Sequence, residues 1–141
     1  VPVWRDPMIR CLVITHGRLG DELLYNVEAI LGPIEGMQSM TNQGRSARDL
    51  VSAVSDWLAA ALADKQDAAV LFVDDYGGSC ATAAQLAATG RMQIVILSGV
   101  NLAMLLGFVT WRPSLDLAEL AQKLVEKGRE AITRIGAKRG D

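Results

Sequence analysis

At 141 residues, half of them hydrophobic, the chain is long enough for one domain with a substantial core. A net charge of −2 gives no basis for a nucleic-acid partner, and Lys138 with Arg139 is too short a cluster to make a basic patch. No apolar run approaches the ~20 residues needed to cross a bilayer, so no membrane insertion is expected.

Val1 to Arg10 carries two prolines and three charges and does not read as a signal peptide. Two cysteines without one point to reduced thiols in the cytoplasm. One histidine and two separated cysteines make a poor zinc set, so neither a metal nor a cofactor is expected. Residues 1–141 read as a single domain, with 1–7 an extension before an alternative start at Met8. The apolar content is high for one core of this size and favours a homodimer.

In chain order, Met8 to Thr15 is an apolar run that predicts a buried strand. Leu19 to Leu31 has helical spacing. A second strand around Ile34 to Met40 is weakly β-forming. Ser46 to Leu62 predicts a helix with Leu50, Val54, Trp57 and Ala61 on one face. Ala68 to Val73 is a second fully apolar strand. Ser79 to Thr89 is an alanine-rich helix ending at Gly90.

Met92 to Ser98 predicts the fourth strand, and Asn101 to Trp111 a helix stopped by Pro113. Ser114 or Asp116 caps the last helix; Asp116 and Glu119 make a capping-box pair. Its apolar spacing runs through Leu117, Leu120, Ala121, Leu124, Val125, Ala131, Ile132 and Ile135. The alternation predicts an open α/β fold: a mostly parallel, doubly wound sheet with helices on both faces, for which the order 2-1-3-4 is taken. That order makes the loops after strands one and three neighbours at the switch point, where ligands bind.

Three loops then share the carboxyl edge. The first holds His16, the only histidine, followed by Gly17. The second reads Asp74-Asp75-Tyr76-Gly77-Gly78-Ser79, and the third Ser98-Gly99-Val100-Asn101. Gly77 and Gly78 let backbone amides turn toward a ligand. The helix start at Ser79 and Cys80 offers free N–H groups and a positive dipole end to a phosphoryl group. Asp74 is placed to hold one imidazole nitrogen as N–H, and Asp75, by strand alternation, to point away. Each loop also has an ordinary reading, Gly-Gly-Ser as a turn with a cap and Asn101 as an N-cap contacting the active edge. Cys80 reads either as a thiol with a lowered pKa at a helix N-terminus or as a buried small residue.

Ile14-Thr15-His16-Gly17 with Gly20, Leu23, Leu24, Glu28 and Gly32 resembles the opening of the mannose-family EIIA domains of the bacterial phosphotransferase system. Val73-Asp74 with Gly77-Gly78-Ser79 resembles that family's second motif, and Gly99-Val100-Asn101 with Met104-Leu105-Leu106 its third. The resemblance implies a phosphotransferase with a phosphohistidine intermediate. His16 would accept the phosphoryl group from phospho-HPr and pass it to a EIIB component for sugar uptake. Asp74 would be the carboxylate beside it and Ser79 the serine at the phosphate nest. It also implies a dimer that exchanges a C-terminal edge segment; the last helix and the tail to Lys138 are the expected contributors.

The chain departs from the family pattern at Cys80 and Ala103, where proline is usual, at Thr82 in place of asparagine, and at Gly107 in place of glutamate. All four read as lying near the active edge. They favour an alternative: a regulatory module of the same fold that is phosphorylated but serves no sugar permease. An aspartyl-phosphate receiver is a more distant reading, because its acidic pair belongs after the first strand and its lysine near the last strand is missing. A serine hydrolase would need a Gly-x-Ser-x-Gly elbow, which the chain lacks.

Overall fold

A computed structural model describes residues 6–136. The elements are β1 (Ile9–Thr15), α1 (Leu19–Leu31), β2 (Met37–Thr41), α2 (Ala47–Ala61), β3 (Ala68–Val73), α3 (Ser79–Ala88), β4 (Ile94–Ser98), α4 (Leu102–Trp111) and α5 (Leu117–Glu130). The four strands form one sheet of order β2-β1-β3-β4, and each neighbouring pair is parallel. This is the α/β fold expected from the alternation.

β3 is apolar throughout and β1 is apolar from Cys11 to Ile14, because both faces of these two central strands are covered. Leu12, Ile14, Ala69, Leu71 and Val73 pack under α2 and α3, against Leu50, Val54, Leu58, Ala83 and Ala84. The alternate residues Cys11, Val13, Val70 and Phe72 pack under α1, α4 and α5, against Val27, Leu105, Phe108, Leu120 and Leu124. Phe72 and Phe108 meet edge to face at 5.9 Å. Ser46 caps α2, and Asp116 with Glu119 forms the capping box of α5.

Element ends differ from the sequence expectation where turns intervene. β2 begins at Met37, after Gly36 turns at φ +81°. β4 begins at Ile94 because Gln93 takes φ +65° and Met92 is exposed. α5 stops at Glu130. Ala131, Ile132 and Ile135 keep helical spacing in sequence but lie beyond it, with Ile132 and Ile135 exposed. Apolar spacing sustains a helix only where it has a surface to bury. No strand follows α5 among the described residues, and the tail at Lys138 lies outside them, as do Val1 to Arg5 of the expected extension. No helix among the described residues is long and apolar enough to cross a membrane.

Candidate functional site

β1 and β3 are adjacent, so their carboxyl ends deliver His16 and Asp74 to the same point. The turn after β1 is held from beneath. Thr15 is wholly buried, and its Oγ1 accepts a 2.8 Å hydrogen bond from the N–H of Gly20. A Cβ at Gly20 would come within 3.2 Å of that hydroxyl and of the Val13 carbonyl, so glycine lets α1 start hard against the sheet.

The backbone N–H of His16 donates to Oδ2 of Asp74 at 2.8 Å, and Nδ1 of the same residue lies 2.8 Å from the same oxygen. Two contacts to one oxygen fix the ring's orientation and make Nδ1 the N–H donor. The lone pair then sits on Nε2, which faces Ser79 Oγ at 3.4 Å. The His16 side chain is 53 % exposed and that of Asp74 only 11 %.

Burial pushes the Asp74 carboxyl pKa up, but hydrogen bonds from the backbone and ring of His16 outweigh it. The net result lies below the ordinary 3.8. Asp75 is exposed and makes no such bond to His16. Its Oδ2 instead borders the approach to α3, 3.7 Å from where a Cβ on Gly78 would stand. The same point is 3.6 Å from Cε1 of His16, so glycine at 78 keeps the way to the ring open.

α3 begins beside the ring. Gly77, at φ +83°, turns the chain into it. Gly78 rather than Ser79 is the N-cap, and no side chain caps the helix. Its first N–H groups are left without intrahelical acceptors, an arrangement that favours negative charge. Cys80, in the first turn, is completely buried with Sγ 4.0 Å from His16 Nδ1. Burial and the neighbouring Asp74 charge push its pKa above 9.0, so desolvation overrides the helix dipole and the lowered-pKa reading is corrected.

The third loop is tied in by the N–H of Val100, which donates to the Val73 carbonyl at 3.1 Å. Asn101 caps α4 through Oδ1, which accepts from Met104 N–H, and its Nδ2 donates to the Gly128 carbonyl of α5. Both polar ends of that side chain are spent on helix packing.

Of the sequence departures, Cys80 is at the ring and Thr82 hydrogen-bonds the Gly78 carbonyl. Gly107 is in the middle of α4, where a Cβ would strike the Trp111 ring at 2.7 Å. It is a packing position, not part of the active edge. One histidine and two cysteines far apart in sequence gave no zinc pattern. The fold brings donor atoms of His16, Asp74 and Cys80 within 4.8 Å of one another. Only the shared location of the two loops could have signalled that.

Residues 10–125 match the EIIA-man family model, described as the PTS system fructose IIA component. The chain belongs to this family. No curated protein matches the chain. Among solved structures, phosphotransferase system component EIIA from Streptococcus agalactiae is 24% identical, with TM-score 0.82, over 90% of this chain and 97% of that one. The mannose/sorbose-specific IIA subunit from Enterococcus faecalis is 26% identical, with TM-score 0.74, over 96% and 98%. A sigma-54 interaction domain protein from Enterococcus faecalis shares the fold at 11% identity and TM-score 0.76, over 91% and 96%. The chain is thus a EIIA-family component of the phosphotransferase type, built on an α/β scaffold common to the group.

Proposed function

We propose that His16 carries a phosphoryl group on Nε2, taken from phospho-HPr and passed to a EIIB component in the cytoplasm. One observation carries this reading: Asp74 holds Nδ1, so the free Nε2 faces the uncapped start of α3. The Nε2 lone pair attacks phosphorus, and the P–N bond to the donor breaks as the new one forms. Nδ1 keeps its proton, and the Asp74 carboxylate stabilises the imidazolium that results. The Gly77-Gly78-Ser79-Cys80 backbone and the Ser79 hydroxyl receive the phosphoryl oxygens. A half-exposed ring at an open edge suits a macromolecular donor better than an enclosing small-molecule pocket does.

The test is incubation with phosphoenolpyruvate, enzyme I and HPr, followed by intact-mass measurement. One acid-labile, base-stable phosphoryl group is expected, and none in His16→Ala. Full labelling of that variant would overturn the assignment. Transfer onward to a EIIB component separates sugar uptake from the regulatory alternative. The second reading is favoured by Cys80 beside the histidine and by the likeness of the fold to a sigma-54 interaction domain protein. A phosphorylated chain that no EIIB discharges would select it.

Residues 1–141 are read as one such domain, and the domain as a homodimer. The outer edge of β4 has no neighbouring strand among the described residues. A groove of about 390 Å³ runs along β4 and α5 from Ser98 to Ile132, and Ile132 and Ile135 stand 83 % and 93 % exposed. A second copy's C-terminal segment would cover that edge. Light scattering should give twice the 15.1 kDa chain mass at micromolar concentration; a stable monomer would contradict it.

A further inference from the structure

Cys80 has no part in phosphoryl chemistry through its sulfur, yet that sulfur is buried against the catalytic pair. His16 Nδ1 and Asp74 Oδ2 are 2.8 Å apart, Cys80 Sγ and Nδ1 are 4.0 Å apart, and the three donors lie within 4.8 Å. Bonds of ~2.0–2.3 Å to a tetrahedral zinc ion space nitrogen, oxygen and sulfur donors by roughly 3–4 Å. The cluster therefore needs only small side-chain movements to close on an ion. A second observation is independent of the cysteine: Oδ1 of Asp74 is buried and has no hydrogen-bond partner. The carboxylate thus has coordinating capacity beyond what His16 uses. Among the described residues this is the group of three that converges in this way.

We propose that His16 Nδ1, Asp74 and Cys80 Sγ form a three-ligand site for a thiophilic divalent cation of the Zn²⁺ class, and that its occupancy blocks phosphorylation of His16. The blocking clause rests on the phosphoryl-carrier function proposed above; the binding clause does not. Mixed sulfur, nitrogen and oxygen donors select zinc-like ions over magnesium or calcium, which take oxygen donors. As the metal–sulfur bond forms, the S–H bond breaks and its proton passes to solvent. As the metal–Nδ1 bond forms, the Nδ1 proton is replaced by one on Nε2, so the ring stays neutral. One proton is released per ion. Nε2 then has no lone pair for phosphorus. Conversely, on a phosphorylated ring whose Nδ1 proton is held by Asp74, Nδ1 has no lone pair for the ion. The half-exposed ring opens the cluster to solvent on the His16 side.

Co²⁺ added to the unphosphorylated full chain tests binding directly. One equivalent should produce a thiolate-to-cobalt charge-transfer band that Zn²⁺ displaces. The band should persist in Cys11→Ala, whose residue packs on the opposite face of the sheet, and vanish in Cys80→Ala. In His16→Ala, an exposed position that tests ligation without disturbing the core, apparent Zn²⁺ affinity should fall roughly 100-fold or more. No band with the wild-type chain, or an equal band in Cys80→Ala, overturns the site. For the blocking clause, uptake from purified phospho-HPr is measured with and without zinc. At zinc about ten times its Kd, wild-type uptake should slow roughly tenfold by mass action, and the ratio in Cys80→Ala should be near one. Equal uptake with and without zinc in a chain that shows the band overturns the blocking clause. A wild-type chain that takes no phosphoryl group even without zinc overturns both the carrier function and the blocking clause, while the cobalt band decides the site on its own.

Discussion

Each end of the β1–β3 pair carries one close contact between a basic residue from the β1 side and an aspartate flanking β3, and the two serve opposite ends. At the amino edge Arg10 meets Asp67 at 2.7 Å, with Asp67 2 % exposed. Asp67 also accepts from the Met8 N–H, and Arg10 also donates to the Ala61 carbonyl. Every one of these contacts ties chain to chain. At the carboxyl edge His16 meets Asp74 at 2.8 Å, but the imidazole is half exposed and its second nitrogen is turned to an uncapped helix. A guanidinium cannot give up its proton in a protein, so the first pair can only hold. An imidazole can exchange roles between its two nitrogens, so the second can do chemistry. The same strand pairing produces a clamp at one end and a candidate reaction centre at the other.

The sharpest way to break this comparison is to remove one charge from each pair. Asp74→Asn should slow phosphoryl uptake roughly 10³–10⁴-fold, because it disturbs both the tautomer and the imidazolium's stabilisation. Asp75→Asn should change it far less; equal damage would mean the acidic pair has been misassigned. The same pair of proteins checks the acid limb. The folded-state pKa of Asp74 is depressed, so its contribution to stability is present above 3.8 and is lost as pH falls through the lower folded value. The gap in melting temperature between wild type and Asp74→Asn should therefore be constant at neutral pH and close only in strong acid. A gap that closes well above 3.8 would show the carboxylate is not held as described.

Asp67→Ala should do the reverse. It takes the carboxylate away from Arg10 and from the Met8 N–H and should cost about 3 kcal/mol in denaturant unfolding, while phosphoryl uptake by the folded protein stays within a small factor. A large loss of transfer at unchanged stability would erase the distinction between the two ends. The smallest effect is expected at Asn101→Ala, about 1 kcal/mol for loss of a helix cap, again with transfer nearly intact. A transfer defect out of proportion to that would make Asn101 part of the reaction edge rather than a tie between α4 and α5.

The order of elements was legible because the central strands are buried on both faces and so read as apolar runs, complete in β3 and from Cys11 to Ile14 in β1. Ala68 to Val73 and Leu19 to Leu31 came out with their observed bounds. Boundaries set by single backbone conformations, at Gly36 and Gln93, were not, since composition carries little information about a positive φ there. The end of α5 was overrun for a different reason: helical spacing continues to Ile135, but the surface that would bury it does not. His16 and Asp74 were legible as candidates because both close an apolar strand.

By itself, then, the sequence determined the parallel sheet and the loops that carry His16, Asp74 and Ser79, because hydrophobic period and loop position are local properties of the chain. Only the tertiary structure decided which nitrogen of His16 is held, that Gly78 rather than Ser79 is the N-cap of α3, and that Asn101 spends both polar ends on packing. It also decided the state of Cys80. The helix dipole that the sequence reveals would favour a thiolate. Burial and the Asp74 charge reverse that; Asp74 is close in sequence, but the burial is completed by β1, far away along the chain. Desolvation depends on everything packed around an atom, so it emerges only when the distant strands are in place.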